Sequence, residues 1–189
     1  FPLINISFDG VGYHDWMRGR AGAEKDALRA IRLCVDNGFR VMIQYNINRK
    51  NEPTILESLD LLDKMGVSRI RLICTTPAPR WEQNAAGQSY TTEEYFDASM
   101  KILEHYIRSP HRAELTIWQL GNVYPDRRAY SLAPVKNTTE RYRDTLPLCK
   151  GTRGMIAVGA NGQTYPCLQM SGWMDEHQWD LGNVFRDGL

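Results

Sequence analysis

Three times within residues 3–107 a short apolar run turns polar at its carboxyl end and gives way to a segment with helical periodicity. Leu3, Ile4, Ile6 and Phe8 open the first unit and read as a strand buried on both faces of a parallel sheet. Ala27, Ile31, Cys34 and Val35 then form one helical stripe within residues 21–37, with Gly38 at the C-cap position. The second unit joins a strand over residues 39–47 to a helix that opens at Glu52-Pro53, buries Ile55, Leu59 and Leu62, and closes at Gly66. In the third, Ile70, Leu72 and Ile73 make the strand. Thr91 and Glu94 fit a capping box, and the helix behind it is expected to bury Phe96, Met100, Leu103 and Ile107. Strands alternating with helices of this length call for parallel pairing and crossover connections, so the fold class is α/β with a parallel sheet.

In open α/β sheets and (β/α) barrels, chemistry sits at the carboxyl ends of the strands, where loops vary without disturbing the core. The first strand delivers Ser7, Asp9, Gly10, His14, Asp15 and Arg18; the second ends in Gln44, Asn46 and Asn48; the third ends in Cys74, Thr75, Thr76 and Pro77. The bland reading of the first loop is an Asp9-Gly10 turn, Asp15 as the cap of the next helix, and Arg18 as a solvated charge. Three strands with the same polar ending favour a functional rim over that reading, without naming a reaction.

Residues 113–122 read as a further strand of unread direction. Residues 123–148, with Pro125, Pro134, Pro147 and the Arg127-Arg128 pair, read as a linker or a long loop over the barrel mouth. A formal net charge of +1 gives no electrostatic case for nucleic acid or a membrane surface. No apolar run approaches the roughly 20 residues that span a bilayer, and no signal-peptide pattern is present. The expectation is a cytoplasmic protein with neither nucleic acid nor membrane as partner. A buried-type strand begins almost at Phe1, which reads as a piece of a longer chain.

The cysteines are Cys34, Cys74, Cys149 and Cys167. Cys34 lies on a helical apolar stripe and reads as core; Cys74, at a strand end, reads as a buried thiol near the mouth. Between Cys149 and Cys167 lies an Asn161-Gly162 pair flanked by β-type residues, the signal for a two-residue type I′ hairpin that sets residues 158–160 against 163–165. Such a hairpin brings the two thiols together as a disulfide, half a zinc site, or two ligands of an iron–sulfur cluster. A reducing compartment disfavours the disulfide, and two cysteines do not complete a metal site.

These residues carry a family resemblance. The Ser7-Phe8-Asp9-Gly10 strand end, the His14-Asp15 and Arg18-Gly19 loop and the Asn-rich second strand resemble the later half of a radical S-adenosylmethionine (SAM) enzyme barrel. Cys149, Gly162 and Cys167, followed by Leu181-Gly182-Asn183-Val184, resemble the opening of a SPASM domain. The resemblance implies the later half of a partial (β/α)6 TIM-like barrel over residues 1–122, a linker over 123–148 and the start of a SPASM domain over 149–189. It implies a SAM-binding [4Fe–4S] cluster held by cysteines outside this chain, since no C-x-x-x-C-x-x-C run is present. Auxiliary [4Fe–4S] clusters are implied with Cys149 and Cys167 among their ligands, and Ser7, Asp9, Arg18, Asn46 and Thr75 would face SAM or substrate. A peptide or protein substrate and an electron donor such as flavodoxin or ferredoxin are implied as partners. Leu168 stands after Cys167 where the sulfatase-maturing branch has an aspartate, which points to another peptide-modifying maturase, one that takes a hydrogen atom from a side chain. These residues alone are expected not to cleave SAM. Two other readings stay open: a zinc-ribbon-bearing α/β binding module with structural zinc on Cys149 and Cys167, and a barrel hydrolase using Asp9 as base and His14 as orienter.

Overall fold

The computed structural model describes residues 3–75, 79–118, 120–131 and 156–188. The chain divides into two compact units, one of residues 1–76 with 87–137 and one of residues 77–86 with 138–189.

The first unit is built on a six-stranded sheet in sequence order: β1 Ile4–Ser7, β2 Val41–Ile47, β3 Arg69–Cys74, β4 Glu114–Ile117, β5 Gly121–Tyr124 and β6 Ala129–Ser131. Strands β1 to β4 pair in parallel, and β5 and β6 add antiparallel. Helices α1 His14–Arg18 and α2 Ala23–Asp36 follow β1; α3 Ile55–Lys64 follows β2; α5 Thr92–Arg108 precedes β4. The segment read as one strand over 113–122 is thus two strands joined by a tight turn, and the sheet runs on to Ser131 through residues assigned to the linker. Pro125 suggested a break, but it opens a single 3-10 turn that closes at Arg128, a non-glycine residue at φ 47 that no sequence signal announces.

The strands alternate rather than burying both faces. Val41, Ile43, Tyr45 and Ile47 of β2, Ile70 and Leu72 of β3, and Leu115 and Ile117 of β4 lie in a core with Ile31 of α2, Ile55, Leu59 and Leu62 of α3, and Ile102 and Tyr106 of α5. Met42, Gln44, Asn46, Arg69, Arg71, Glu114 and Thr116 alternate with them and stay half-exposed, with Arg69 paired to Glu114 and Asn5 Nδ2 donating to Gln44 at 3.5 Å. Among the described residues helices cover one face only, so period two replaces the continuous apolar run expected of a doubly covered sheet.

Helix α3 buries the stripe expected of it, α2 buries Ile31 and packs Ala27, Cys34 and Val35 partly buried against the core, and α5 departs from expectation. Its capping box forms, with Glu94 N–H donating to Thr91 Oγ1 at 3.2 Å and Thr91 N–H to the Glu94 carboxylate at 2.7 Å. The buried stripe is Ala98, Ser99, Ile102 and Tyr106, while Phe96 and Ile107 are more than half exposed and Met100 is exposed. Two adjacent stripes were periodic, and the one bearing tyrosines won because their hydroxyls reach backbone acceptors: Tyr95 donates to Trp118 O and Tyr106 to Ala113 O, each at 2.6 Å.

The second unit holds a helix, α4 Pro79–Ala85, and a hairpin of β7 Ala157–Val158 and β8 Thr164–Tyr165. Its register is Ala157 opposite Tyr165 and Val158 opposite Thr164, one residue away from the expected pairing. The loop has three residues: Gly162 N–H donates to Gly159 O at 2.9 Å, and Gly162 alone turns left-handed at φ 82 while Asn161 does not. Asn161 instead accepts Gln163 N–H at 3.1 Å, so the Asn-Gly pair marks a type I turn with a bulge rather than type I′. The 181–184 stretch lies along this hairpin: Thr164 N–H donates to Gly182 O and Val184 N–H to Gly162 O, both at 2.9 Å, and Asn183 Nδ2 donates to Asn161 O at 3.0 Å. A Cβ on Gly162 would run into the Phe185 ring.

Candidate functional site

The loop after β1 is organised by Asp9. Its side chain is completely buried, and each oxygen meets donors. Oδ1 accepts the Asn46 backbone N–H at 3.1 Å and faces Asn46 Nδ2 at 3.3 Å; Oδ2 accepts Arg18 Nη2 at 2.8 Å and lies 3.1 Å from His14 Nδ1. A lone carboxylate in such a place costs several kcal/mol, so the donor set is what permits the burial. His14 stacks on Phe8 with ring centroids 5.3 Å apart, and Nδ1 also lies 3.1 Å from the Asp9 N–H. Gly10 follows at φ 109, where an added Cβ would strike the Tyr45 hydroxyl. Burial pushes that phenol up, out of the range of acid–base work.

Asparagines continue the site along the end of β2. Asn51 Nδ2 donates to Asp9 O at 2.9 Å and Asn46 O at 2.7 Å, tying the first loop to the second strand, and Asn51 Oδ1 accepts Asn48 N–H at 2.9 Å. Asn48 Oδ1 in turn accepts Lys50 N–H at 3.0 Å, while its Nδ2 is buried without a partner among the described residues. Lys50 sits over the Trp16 ring at 4.6 Å.

The sequence-derived residues are placed as follows. Ser7 ends β1 opposite Gln44, half-buried. Asp9, Arg18 and Asn46 form one bonded cluster. Thr75 follows β3, nearly buried, with its hydroxyl and its N–H both 3.3 Å from Ile47 O. The parallel register puts all five at the carboxyl-end rim. The sequence reading placed neither Asn51 nor Asn48 among the site residues; the signal for them is the Asn46-x-Asn48-x-x-Asn51 spacing, which lets the side chains of one loop bond its own backbone. The bland reading holds for Asp15: its carboxylate accepts Gly22 and Glu24 N–H, each at 2.7 Å, and caps α2. The hydrolase reading fails, because Asp9 is saturated by Arg18 and Asn46 and His14 is buried beside it, so neither can meet a substrate.

Cys149 lies outside the described residues. Cys167 is half-exposed at the start of a 3-10 turn, Leu168–Met170, and among the described residues no set of three metal-ligating side chains gathers around it. The described residues therefore do not by themselves supply the ligands of an iron–sulfur cluster. Burial pushes the Cys74 thiol up, keeping it protonated and a poor ligand. The rim does fit a polar ligand such as SAM: the unpartnered Asn48 amide is a buried donor at a strand end, the kind of group that is ordinarily satisfied.

No protein-family model matches the chain. Pre-heme d1 synthase of Dinoroseobacter shibae is 35% identical over 85 residues, 44% of this chain and 21% of that protein. Fe-coproporphyrin III synthase of Methanosarcina barkeri is 34% identical over 68 residues, 35% of this chain and 17% of that protein. Both are radical SAM enzymes. The fold is that of SuiB from Streptococcus suis, a radical SAM/SPASM enzyme solved free and bound to S-adenosylmethionine or to its precursor peptide SuiA. The free form superposes with a TM-score of 0.67 at 11% identity, covering 99% of this chain and 42% of SuiB, and the peptide complex with 0.65 at 10%, covering 99% and 40%. The mostly parallel sheet thus matches the fold of a partial radical SAM barrel. The matched regions span about a fifth of each curated relative. Among the described residues, no helix is long and apolar enough to cross a membrane.

Proposed function

We propose that the chain forms the SAM- and substrate-facing later half of a radical SAM enzyme. The observation that carries this reading is the identity of about a third to two radical SAM enzymes, on a chain whose parallel strands bring their polar ends to one rim. In such an enzyme a [4Fe–4S] cluster supplies the electron that cleaves SAM and starts hydrogen-atom abstraction. The residues of this chain position and exclude water. Asp9 holds Arg18 and Asn46 rather than reaching ligand itself; Arg18, whose side chain is 37% exposed, offers a guanidinium to an anionic group. Asn48 Nδ2 supplies a donor, and Ser7 and Thr75 are the hydroxyls at the neighbouring strand ends. Cys149 and Cys167 belong to an auxiliary cluster, and an electron donor such as flavodoxin or ferredoxin serves the parent protein.

A side chain of a peptide or protein is the proposed substrate, supported by the fold shared with a peptide-bound enzyme. A second reading, a porphyrin-type substrate, is favoured by the products named for the two sequence relatives. The test uses the whole protein, purified without oxygen, reconstituted with iron and sulfide and given SAM and reductant. Release of 5′-deoxyadenosine is expected; none from protein with full iron content would sink the reading. Stimulation of that release by candidate peptides or by an iron porphyrin separates the two substrates, and the 189-residue chain alone is expected to yield none.

A further inference from the structure

On the amino-terminal side of the sheet, away from the rim, a second carboxylate collects two imidazoles. Asp60 of α3 presents Oδ1 to His105 Nε2 of α5 at 2.8 Å and to His111 Nε2 at 2.9 Å. His111 is held rigidly. Its ring stacks flat on Tyr106, centroids 3.9 Å apart and planes 7° from parallel. The turn that carries it is clamped by Asp63, whose Oδ1 accepts Arg112 N–H at 2.8 Å and Ala113 N–H at 2.7 Å.

The two nitrogens of His111 both face acceptors, Nδ1 lying 3.2 Å from Tyr106 O and Nε2 facing Asp60. A neutral imidazole has one proton. With Nδ1–H on the carbonyl, the Nε2 lone pair points at a carboxylate oxygen, which is repulsive unless a cation or a second proton stands between them. An Nδ1–H to backbone carbonyl bond is also the usual support of a histidine that ligates metal through Nε2. We propose that Asp60, His105 and His111 bind a divalent first-row transition ion, with Zn2+ the best fit, through Oδ1 and the two Nε2 atoms. Metal–ligand bonds of about 2.0–2.1 Å put ligands about 2.9 Å apart at right angles and about 3.3 Å apart in a tetrahedron. The present separations match the first and open to the second by about half an ångström. The Asp60 side chain is 38% exposed and that of His105 25%, so both can give, and water completes the shell. Two histidines and one carboxylate leave the open position typical of three-ligand zinc sites. The site is independent of the reaction proposed above.

The experiment is Zn2+ titration calorimetry on the whole protein, purified without oxygen and with its iron–sulfur clusters reconstituted as the background, so that the cluster thiolates are occupied. The expected result is one saturable equivalent that survives in this background and weakens at least about tenfold in His105→Gln and in His111→Gln. Co2+ at the same site should give visible d–d bands without a thiolate charge-transfer band. If His111→Gln does not fold, because its ring packs on Tyr106, His105→Gln in the last turn of α5 decides alone. No saturable Zn2+ in the background, or unchanged affinity in folded His105→Gln, overturns the proposal.

Discussion

Asp9 and Asp60 are both carboxylates that gather imidazole, and they differ in how their charge is met. Asp9 is fully buried, and the chain itself brings the compensating charge: Arg18 on one oxygen, two Asn46 donors on the other. Asp60 is partly exposed and has two imidazoles, those of His105 and His111, on one oxygen. In the first arrangement the carboxylate is complete as built and serves to hold Arg18 and Asn46 in place. The second is short of positive charge, which something from solution can supply. Position in the fold agrees, since Asp9 braces the rim where β1 and β2 end and Asp60 lies between helices at the other side of the sheet.

The comparison is broken most directly at Asp9. Asp9→Ala leaves a guanidinium and two buried donors without their acceptor, and it is expected to cost about 3–5 kcal/mol in urea unfolding. A loss below about 1 kcal/mol would mean that Asp9 is not the brace described. Gly10→Ala tests the same loop through its backbone: a side chain at φ 109 aimed at the Tyr45 hydroxyl should cost roughly 2–4 kcal/mol. Asp60→Ala in metal-free protein should cost only about 1 kcal/mol or less, as exposed ion pairs do. A cost equal to that of Asp9→Ala would erase the distinction between the two sites.

The smallest effect is expected at Asp15, the half-buried carboxylate that caps α2. The backbone N–H of Glu24, then that of Gly22, holds its carboxyl below the ordinary value of 3.8. The folded value is lower than the unfolded one, so the contribution is present above the unfolded value and fades as pH falls through the folded one. Acid unfolding of Asp15→Asn should therefore lack the part of the stability slope that the wild type shows below about pH 4. Superimposable acid limbs would show that the cap carries no charge-dependent stability.

Local rules made much of the first unit legible. The helix stripe of α3, the core-facing side of α2, the Thr91–Glu94 capping box and the polar endings of β1 to β3 depend on spacing within one element, and each is found where expected, though in α2 only Ile31 is fully buried. The misreadings share a cause, which is that a neighbour in space chose between two locally allowed states. In α5 the Trp118 and Ala113 carbonyls selected the tyrosine stripe. At the hairpin, pairing with residues 182–184 accompanies a bulged turn where the Asn-Gly pair allowed a type I′ one.

By itself the sequence determined the alternation of strand and helix and which residues end each strand, because hydrophobic period and turn chemistry are local. Only the tertiary structure decided what those residues do. Asp9 became a buried brace because Asn46, 37 positions away, and Arg18 converge on it. Asp60, His105 and His111 became a cluster across separations of 45 and 51 residues, with no spacing that a reader of the chain could have used. Charges and hydrogen bonds act over a few ångströms in space, and folding alone sets which residues come that close.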